Sequence, residues 1–482
     1  MRTEEQQAPE GINKQLRLKR VNRQQIILRA VDVEKLIEAD HPARAIWELV
    51  GRLDLSALRA EIEVVEGEAG RPAYDPRLLI SLWIYAYSEG VSSAREVARR
   101  CEYHPAYQWL TGCEAVNHHS LSDFRVEHRG ALDELFAQVL GVLSCEGLIT
   151  LERVMQDGTK VKAQASGKSF RREKTLRDHL EQARQRVRAA REKVERLEQA
   201  LEEMQKVQAA EPGRKSRAER RVSESDPEAR FMKQSGGGYA PSHNLQLSTD
   251  ATHTLIVGVS VTQAANDEGQ LSPALEEVKH NLGRLPQQVV ADAGYTTREA
   301  ILEMAERQVD FIGGRVEAGG RSRPRPGIDP AFRAAAFGYE AERDTYRCPT
   351  GKELLRRGIQ RRRVGVLHHV YQAQAGECRS CAFREKCCGG AAARRILRAQ
   401  DVPVVAAFVA KMRTEAAKAI YRLRGAVAEF PNAWLKAKIG LRQFRLRGLK
   451  KVRCEALWAC LAYNCSQWVR LRWKARLAEA QS

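Results

Sequence analysis

Apolar side chains recur at steps of three and four near the start of the chain, at Val33, Leu36 and Ile37 and again at Ile46, Leu49 and Val50. This spacing is the buried stripe of a helix. Asp75-Pro76 has the form of a helix start, with proline at the first helical position. The run from Leu78 to Tyr87 predicts a buried helix that Gly90 ends. Ser92-Ser93 opens a second helix, Ala94 to Arg100, which carries Arg95, Arg99 and Arg100. A third begins at Ser120, with Asp123, Phe124 and Arg125 in its first turns. Helix, short turn and helix with basic residues fits a DNA-reading helix-turn-helix and fits an ordinary helical bundle equally well.

Near residue 148 the period changes. Leu148 to Thr159 reads as a strand ending at an Asp157-Gly158 turn, and Lys160 to Ala163 as the return strand. Between residues 170 and 205 the apolar positions Leu176, Leu180, Ala183, Val187, Ala190, Val194, Leu197, Leu201 and Met204 alternate in steps of four and three. This predicts a coiled coil, within the chain or between chains, against the plainer reading of one long solvated helix. Residues 205–230 are polar and basic and read as a flexible return. Strand signals resume at His243–Thr249, Thr254–Val261, Gln287–Tyr295 and Val309–Gly314, with helices at Leu271–Leu282 and Thr297–Arg307. Leaving out the insertion, the order β-β-β-β-α-β-α-β predicts a mixed sheet rather than an all-parallel one. Residues 315–400, rich in Gly, Pro, Arg and Cys, look like an inserted subdomain. A helical pattern returns from Val402 to about Arg424 and continues in broken form to Trp473.

Composition narrows the classes. The chain has 482 residues, which suggests about three domains, and its 43% hydrophobic content excludes a wholly disordered chain. Lys and Arg exceed Asp and Glu by 80 to 61, a net charge of +19. Arginine suits bidentate phosphate contacts, so the charge favours nucleic acid over the alternatives, an anionic membrane surface or a basic enzyme with scattered Arg. No run of 18 apolar residues predicts a membrane span, and the polar N-terminus has no apolar h-region. A cytoplasmic location is expected.

Of the eleven cysteines, Cys101, Cys113, Cys145, Cys454, Cys460 and Cys465 are scattered and read as small hydrophobes. Cys348, Cys378, Cys381, Cys387 and Cys388 cluster. A C-x2-C pair with two further thiols suits tetrahedral zinc, held by Cys348, Cys378, Cys381 and Cys387 with Cys388 as rival for the last place. His368 and His369 are substitutes, though a strand from Val364 to Tyr371 claims them more naturally. The pattern fits either a structural Zn²⁺ or free buried thiols.

Two acids, Asp157 and Asp292, fall at predicted strand ends, each followed closely by glycine. Either motif alone is an ordinary turn. As a pair on neighbouring strands, they would converge, and two close carboxylates call for a divalent cation. A third acid, Glu429, lies near the end of an Arg-rich helix and is followed by Lys436 and Lys438. It is either a further oxygen ligand beside phosphate-binding Arg and Lys residues, or part of a solvated face.

Taken together, these residues resemble the DDE transposases of bacterial insertion sequences. The resemblance rests on Met155-Gln156-Asp157-Gly158-Thr159-Lys160, on Ala291-Asp292-Ala293-Gly294-Tyr295 and on Tyr421-x2-Arg424-x4-Glu429-x6-Lys436. Gly237 to Gln246, Asn266 to Leu271 and the helical region 70–145 are similar too. Arg424 and Glu429 enclose four residues, where that signature often has three; the spacing to Lys436 fits.

The resemblance implies an α/β fold: an RNase H-like mixed-sheet core, interrupted by a coiled-coil insertion and a Cys-rich insertion, behind a helical N-terminal domain. It implies that Asp157, Asp292 and Glu429 hold two Mg²⁺ ions roughly 3.5–4 Å apart. The implied chemistry is hydrolysis at the element's ends, then strand transfer into target DNA, without a covalent protein–DNA intermediate. Tyr295 and Tyr421 would be positioning residues. Arg95, Arg99, Arg100, Arg424, Lys436 and Lys438 would contact double-stranded DNA, on which a homodimer is expected. The expected domains are a DNA-binding region at 1–147, the first part of the core at 148–313 (insertion about 170–225), the Cys-rich insertion at 314–400 and the C-terminal part of the core at 401–482. The rival functions are a DNA-binding regulator without catalysis and a coiled-coil scaffold.

Overall fold

The computed structural model describes residues 30–62, 72–185, 191–210, 221–314, 328–361, 367–399 and 403–481. The N-terminal region is helical: α1 (Pro42–Gly51), α2 (Ser56–Ala60), α3 (Pro76–Ser88), α4 (Ala94–Tyr103), α5 (Pro105–Thr111), α6 (His118–Glu127) and α7 (Arg129–Cys145). As the sequence predicts, the Asp75 carboxylate caps α3 by accepting from the Arg77 amide, and Pro76 occupies its first turn. Gly90, at φ +72°, takes the left-handed turn that follows this helix. Helix α5 was not anticipated, and α6 starts before Ser120 because Asn117 caps it. Both short helices depend on caps (His104 for α5) more than on a long apolar period.

The centre is a mixed sheet of β1 (Arg153–Lys162), β4 (Arg230–Lys233), β5 (Tyr239–Asp250), β6 (Ile256–Thr262), β7 (Gln288–Ala291) and β8 (Asp310–Ile312). A separate two-stranded ribbon joins β2 (Phe170–Arg171) to β3 (Val222–Ser223). In the main sheet β1 pairs antiparallel with β5 and parallel with β7, and β7 runs parallel to β8. Along its other edge β5 pairs with β4 through its first residues and with β6 through its later ones. Helices α10 (Leu271–Leu282) and α11 (Arg298–Glu306) link β6, β7 and β8, close to the predicted bounds.

Three expectations are corrected. Asp157-Gly158 is no turn: β1 runs straight through it, and Asp157 and Gly158 pair with Leu247 and Gln246. Gly158 serves close approach instead, since a Cβ there would lie 2.4 Å from Asp267 Oδ1 and from Gln246 Nε2. The stretch read as a flexible return contains β3 and leads into β4. The C-terminal helical pattern breaks at residues 412–414, not after Arg424. It forms α14 (Pro403–Lys411) and α15 (Glu415–Ala437), and α15 continues through Pro431. Thr414 caps α15 by accepting from the Ala417 amide.

Within the predicted coiled coil, α8 (Glu173–Gln185) and α9 (Arg191–Ala210) pack on each other. Leu176, Leu180, Ala183, Leu197, Ala200 and Met204 form one cluster with Val222. Val187 and Ala190 lie outside the described residues. A second sheet is made of β9 (Gly338–Glu340), β10 (Thr345–Arg347), β11 (Glu353–Arg361), β12 (Leu367–Ala373) and β13 (Arg395–Ala399). Between its last two strands come α12 (Ala375–Arg379) and α13 (Arg384–Cys388). His368 and His369 lie on β12, as expected of a strand.

Helix α16 (Leu449–Trp468) is buried along almost its whole length. It joins the N-terminal helices to the sheet in one core, in which Trp83, Phe136, Leu247, Val259 and Trp458 all take part. The helix also satisfies backbone: Asn464 Oδ1 accepts from the Ile256 amide at 3.0 Å, and its Nδ2 donates to the Ile256 carbonyl at 2.7 Å. A π-helical turn, Val469–Trp473, leads into α17 (Lys474–Gln481). Among the described residues no helix is long and apolar enough to cross a membrane.

Candidate active site

Strand β1 presents its side chains alternately to two sides. Met155 packs with Ala417 and Ala428 of α15, and Asp157 and Thr159 face the same helix. Gln156 and Gly158 face the other way, towards Gln246 and Tyr295. Because Gln156 pairs with Ala291 in parallel register, the next residue on each strand, Asp157 and Asp292, stands beside the other. The sequence reading of two converging acids therefore has its geometric counterpart, although only Asp292 follows a strand end.

Helix α15 lies over this pair. Arg424, Ala428, Asn432 and Lys436 recur every four residues and form the stripe that meets β1. Arg424 Nη1 lies 3.6 Å from Asp157 Oδ1, and the two side chains are only 20% and 18% exposed. Asn432 Nδ2 donates to Asp157 Oδ2 at 3.0 Å. Lys436 Nζ donates to Thr159 Oγ1. Burial holds the Lys436 ammonium below its usual range, with Asp157 opposing that shift and Lys160 adding to it.

Asp157 titrates unusually. Burial pushes its carboxyl up to about 6; Arg424 pulls it back, and the charges of Asp292 and Asp267 raise it again. Asp292 Oδ1 accepts from the Gly294 amide at 2.6 Å. On the opposite side of β1, Asp267 Oδ1 accepts from Gln246 Nε2 at 2.8 Å and Asn244 Nδ2 at 2.9 Å, and lies 3.2 Å from Lys160 Nζ. Gln246 Oε1 accepts from Gln156 at 3.0 Å and from the Tyr295 hydroxyl. Tyr295 is buried, and burial drives its hydroxyl pKa far upward.

Glu429 is exposed on α15, between Arg424 and Asn432, with Oε1 3.7 Å from where a Gly425 Cβ would stand. It follows Ala428, which packs with Met155 of β1, by one residue on the same helix. Among the described residues, however, no three His, Cys, Asp or Glu side chains are closed to the geometry of a bound ion. Lys438 follows the last turn of α15 and is exposed. Arg95, Arg99 and Arg100 lie apart on α4. Arg95 is exposed, whereas Arg99 and Arg100 both pair with Glu96.

The residues missed from sequence are Asn432, Asp267 and Gln246. Asn432 had a signal in the four-residue stripe from Arg424 to Lys436. Gln246 and Asp267 fall in the stretches 237–246 and 266–271, but nothing local points them at Gly158.

The cysteine cluster is separate from these acids. Cys348, Cys378, Cys381, Cys387 and Cys388 all line one small cavity, partly open to solvent, beside the second sheet.

A family model described as a transposase DDE domain matches residues 347–469, and one described as a transposase domain (DUF772) matches residues 31–127. The first takes in Arg424, Glu429 and Lys436 but neither Asp157 nor Asp292. No curated protein matches the chain.

Proposed function

The chain belongs to the transposases with a DDE domain, and from that premise we propose that it cuts DNA at the ends of an insertion sequence and joins those ends to target DNA. The observation that carries this reading is the placing of Asp157 and Asp292 next to each other in register, under a helix from which Arg424 and Asn432 reach Asp157 and Lys436 reaches Thr159; Glu429 lies on the same helix.

The strand order β6-β5-β1-β7-β8, antiparallel on one side of β1 and parallel on the other, supports an RNase H-like core. The helices α8 and α9 are read as a short coiled coil inserted into it, and residues 314–400 as a Cys-rich insertion. Residues 1–147 are assigned to DNA binding and 401–482 to the C-terminal part of the core. A homodimer would pair the two element ends.

The donor set fits Mg²⁺. Carboxylate oxygens are hard ligands, and the Asp292 charge pushes the half-buried Asp157 carboxyl further above the level that burial sets, a cost that a bound cation would offset. Asp157, Asp292 and Glu429 would hold the ions, two in number. Divalent metal bound there supplies activation of the attacking oxygen and neutralises charge on the scissile phosphate.

The chain's own groups do the rest. Asn432 orients Asp157, while Arg424 and Lys436 supply cations at the site for the phosphate. Water attacks first, and the freed 3′-hydroxyl then attacks target DNA in line. Tyr295 is no nucleophile in this scheme, since its hydroxyl is buried and committed to Gln246.

The test is a supercoiled plasmid bearing the candidate ends, incubated with Mg²⁺ or Mn²⁺. Nicking should fall by about a thousandfold or more in Asp157→Asn, Asp292→Asn and Glu429→Gln, as expected for loss of metal-held charge stabilisation. Nicking that survives Asp157→Asn would remove the catalytic assignment. DNA binding without nicking in the unmutated chain would leave a regulator derived from a transposase.

A further inference from the structure

The second sheet has a small core. Among the described residues one cluster holds Phe337, Leu354, Tyr371, Ala373 and Ile396, and Cys348, Cys378 and Cys387 pack against it. Units of this size usually need a covalent or metal staple. Two stretches of chain bring their thiols to one cavity: the turn after β10, and the consecutive helices α12 and α13 with the loop between them. Cys387 lies within electrostatic reach of Cys348 and Cys378, and Cys388 of Cys378 and Cys387.

The turn at Cys348 provides an independent sign. The Cys348 amide donates to the Lys352 carbonyl at 2.8 Å, and the Gly351 amide donates back to the Cys348 carbonyl at 2.9 Å. Gly351 sits at φ +85°, which swings the next amide inward, and Lys352 N–H donates to Cys348 Sγ at 3.2 Å. A backbone amide donating to a cysteine sulfur orients that sulfur, as the outer hydrogen bonds of a metal site orient its ligands.

We propose that this cavity is a structural zinc site, in which Cys348, Cys378 and Cys387, with Cys381 or Cys388 as fourth ligand, bind one Zn²⁺ ion. Soft thiolates in a C-x2-C setting select zinc over the Mg²⁺ expected at the carboxylates. Binding sends the thiol protons to solvent and draws the sulfurs in around the ion. The ion ties the β10 turn to α12 and α13 and so supplies the staple that the small core lacks. The inference does not depend on the proposed DNA chemistry.

The experiment uses the full chain, purified under reducing conditions from zinc-supplemented medium. Elemental analysis should find about one zinc per chain, and replacement by Co²⁺ should give the intense visible bands of tetrahedral thiolate coordination. Zinc should be lost in Cys348→Ser and in Cys378→Ser, and kept in Cys113→Ser. Whichever of Cys381→Ser and Cys388→Ser loses it names the fourth ligand. A wild-type chain that carries no zinc, gives no thiolate–cobalt bands and leaves all five thiols open to a thiol reagent would overturn the proposal. The wild-type measurements stand even if a variant fails to fold, and none of them reads DNA cleavage.

Discussion

Asp157 and Asp292 are neighbours because Gln156 and Ala291 are paired in parallel register, which leaves the two acids side by side at the point where β7 stops and β1 runs on. The relationship is a property of backbone register. A one-residue slip of β7 would turn Asp292 to the opposite side of the sheet and leave Asp157 alone under α15.

The raised pKa of Asp157 predicts a pH-dependent gain from its removal. Between the ordinary value of 3.8 and about 6 the folded chain holds a proton that the unfolded chain has released. Stability contributed by this group therefore falls as pH rises through that window. Asp157→Asn should raise the melting temperature at pH 7–8, by at most about 3 kcal/mol of stability, and the difference should vanish below about pH 4. Melting curves across pH check this. Added Mg²⁺ should stabilise the unmutated chain and not the variant.

Gly158 is glycine for lack of room. Gly158→Ala should cost about 1–3 kcal/mol, since its Cβ would overlap Asp267 Oδ1 and Gln246 Nε2. Urea unfolding reads the cost. A variant as stable as the parent would mean that this side of β1 is loosely packed.

Tyr295→Phe separates support from chemistry. It removes the hydroxyl that donates to Gln246, for a loss of about 1–2 kcal/mol in stability. Plasmid nicking should stay within about tenfold of the parent, because nothing in the proposed scheme passes through that hydroxyl.

Asn464→Leu tests how α16 holds the sheet. The change leaves the buried Ile256 amide and carbonyl without their side-chain partners, at a cost of about 2–4 kcal/mol. Hydrogen exchange at Ile256 should rise along with the global loss.

Most elements of the mixed sheet were legible because their signals are local: β-branched runs for β6 and β7, and periodic helices for α10 and α11. The failures have one physical cause. Asp157-Gly158 carries a strong turn signal, yet its glycine answers to Asp267 and Gln246, which approach from distant parts of the chain. Asn432 looked like any polar helix residue until folding set it 3.0 Å from Asp157, 275 positions earlier. Helix α15 carries Pro431 within its length, in a face packed against its surroundings, where Pro431 and Asn432 are both buried. The acids were found by the company they keep in sequence; the groups that hold them in place were not.

The burial of α16 also bears on how such a protein can be taken apart. Its side chains fill the seam between the amino-terminal helices and the sheet, so a fragment ending near residue 147 would present a raw apolar trench where Trp458 and Leu461 had been. Anyone wishing to graft the amino-terminal helices onto another protein would have to transplant this carboxy-terminal helix with them, as a second piece of the same module.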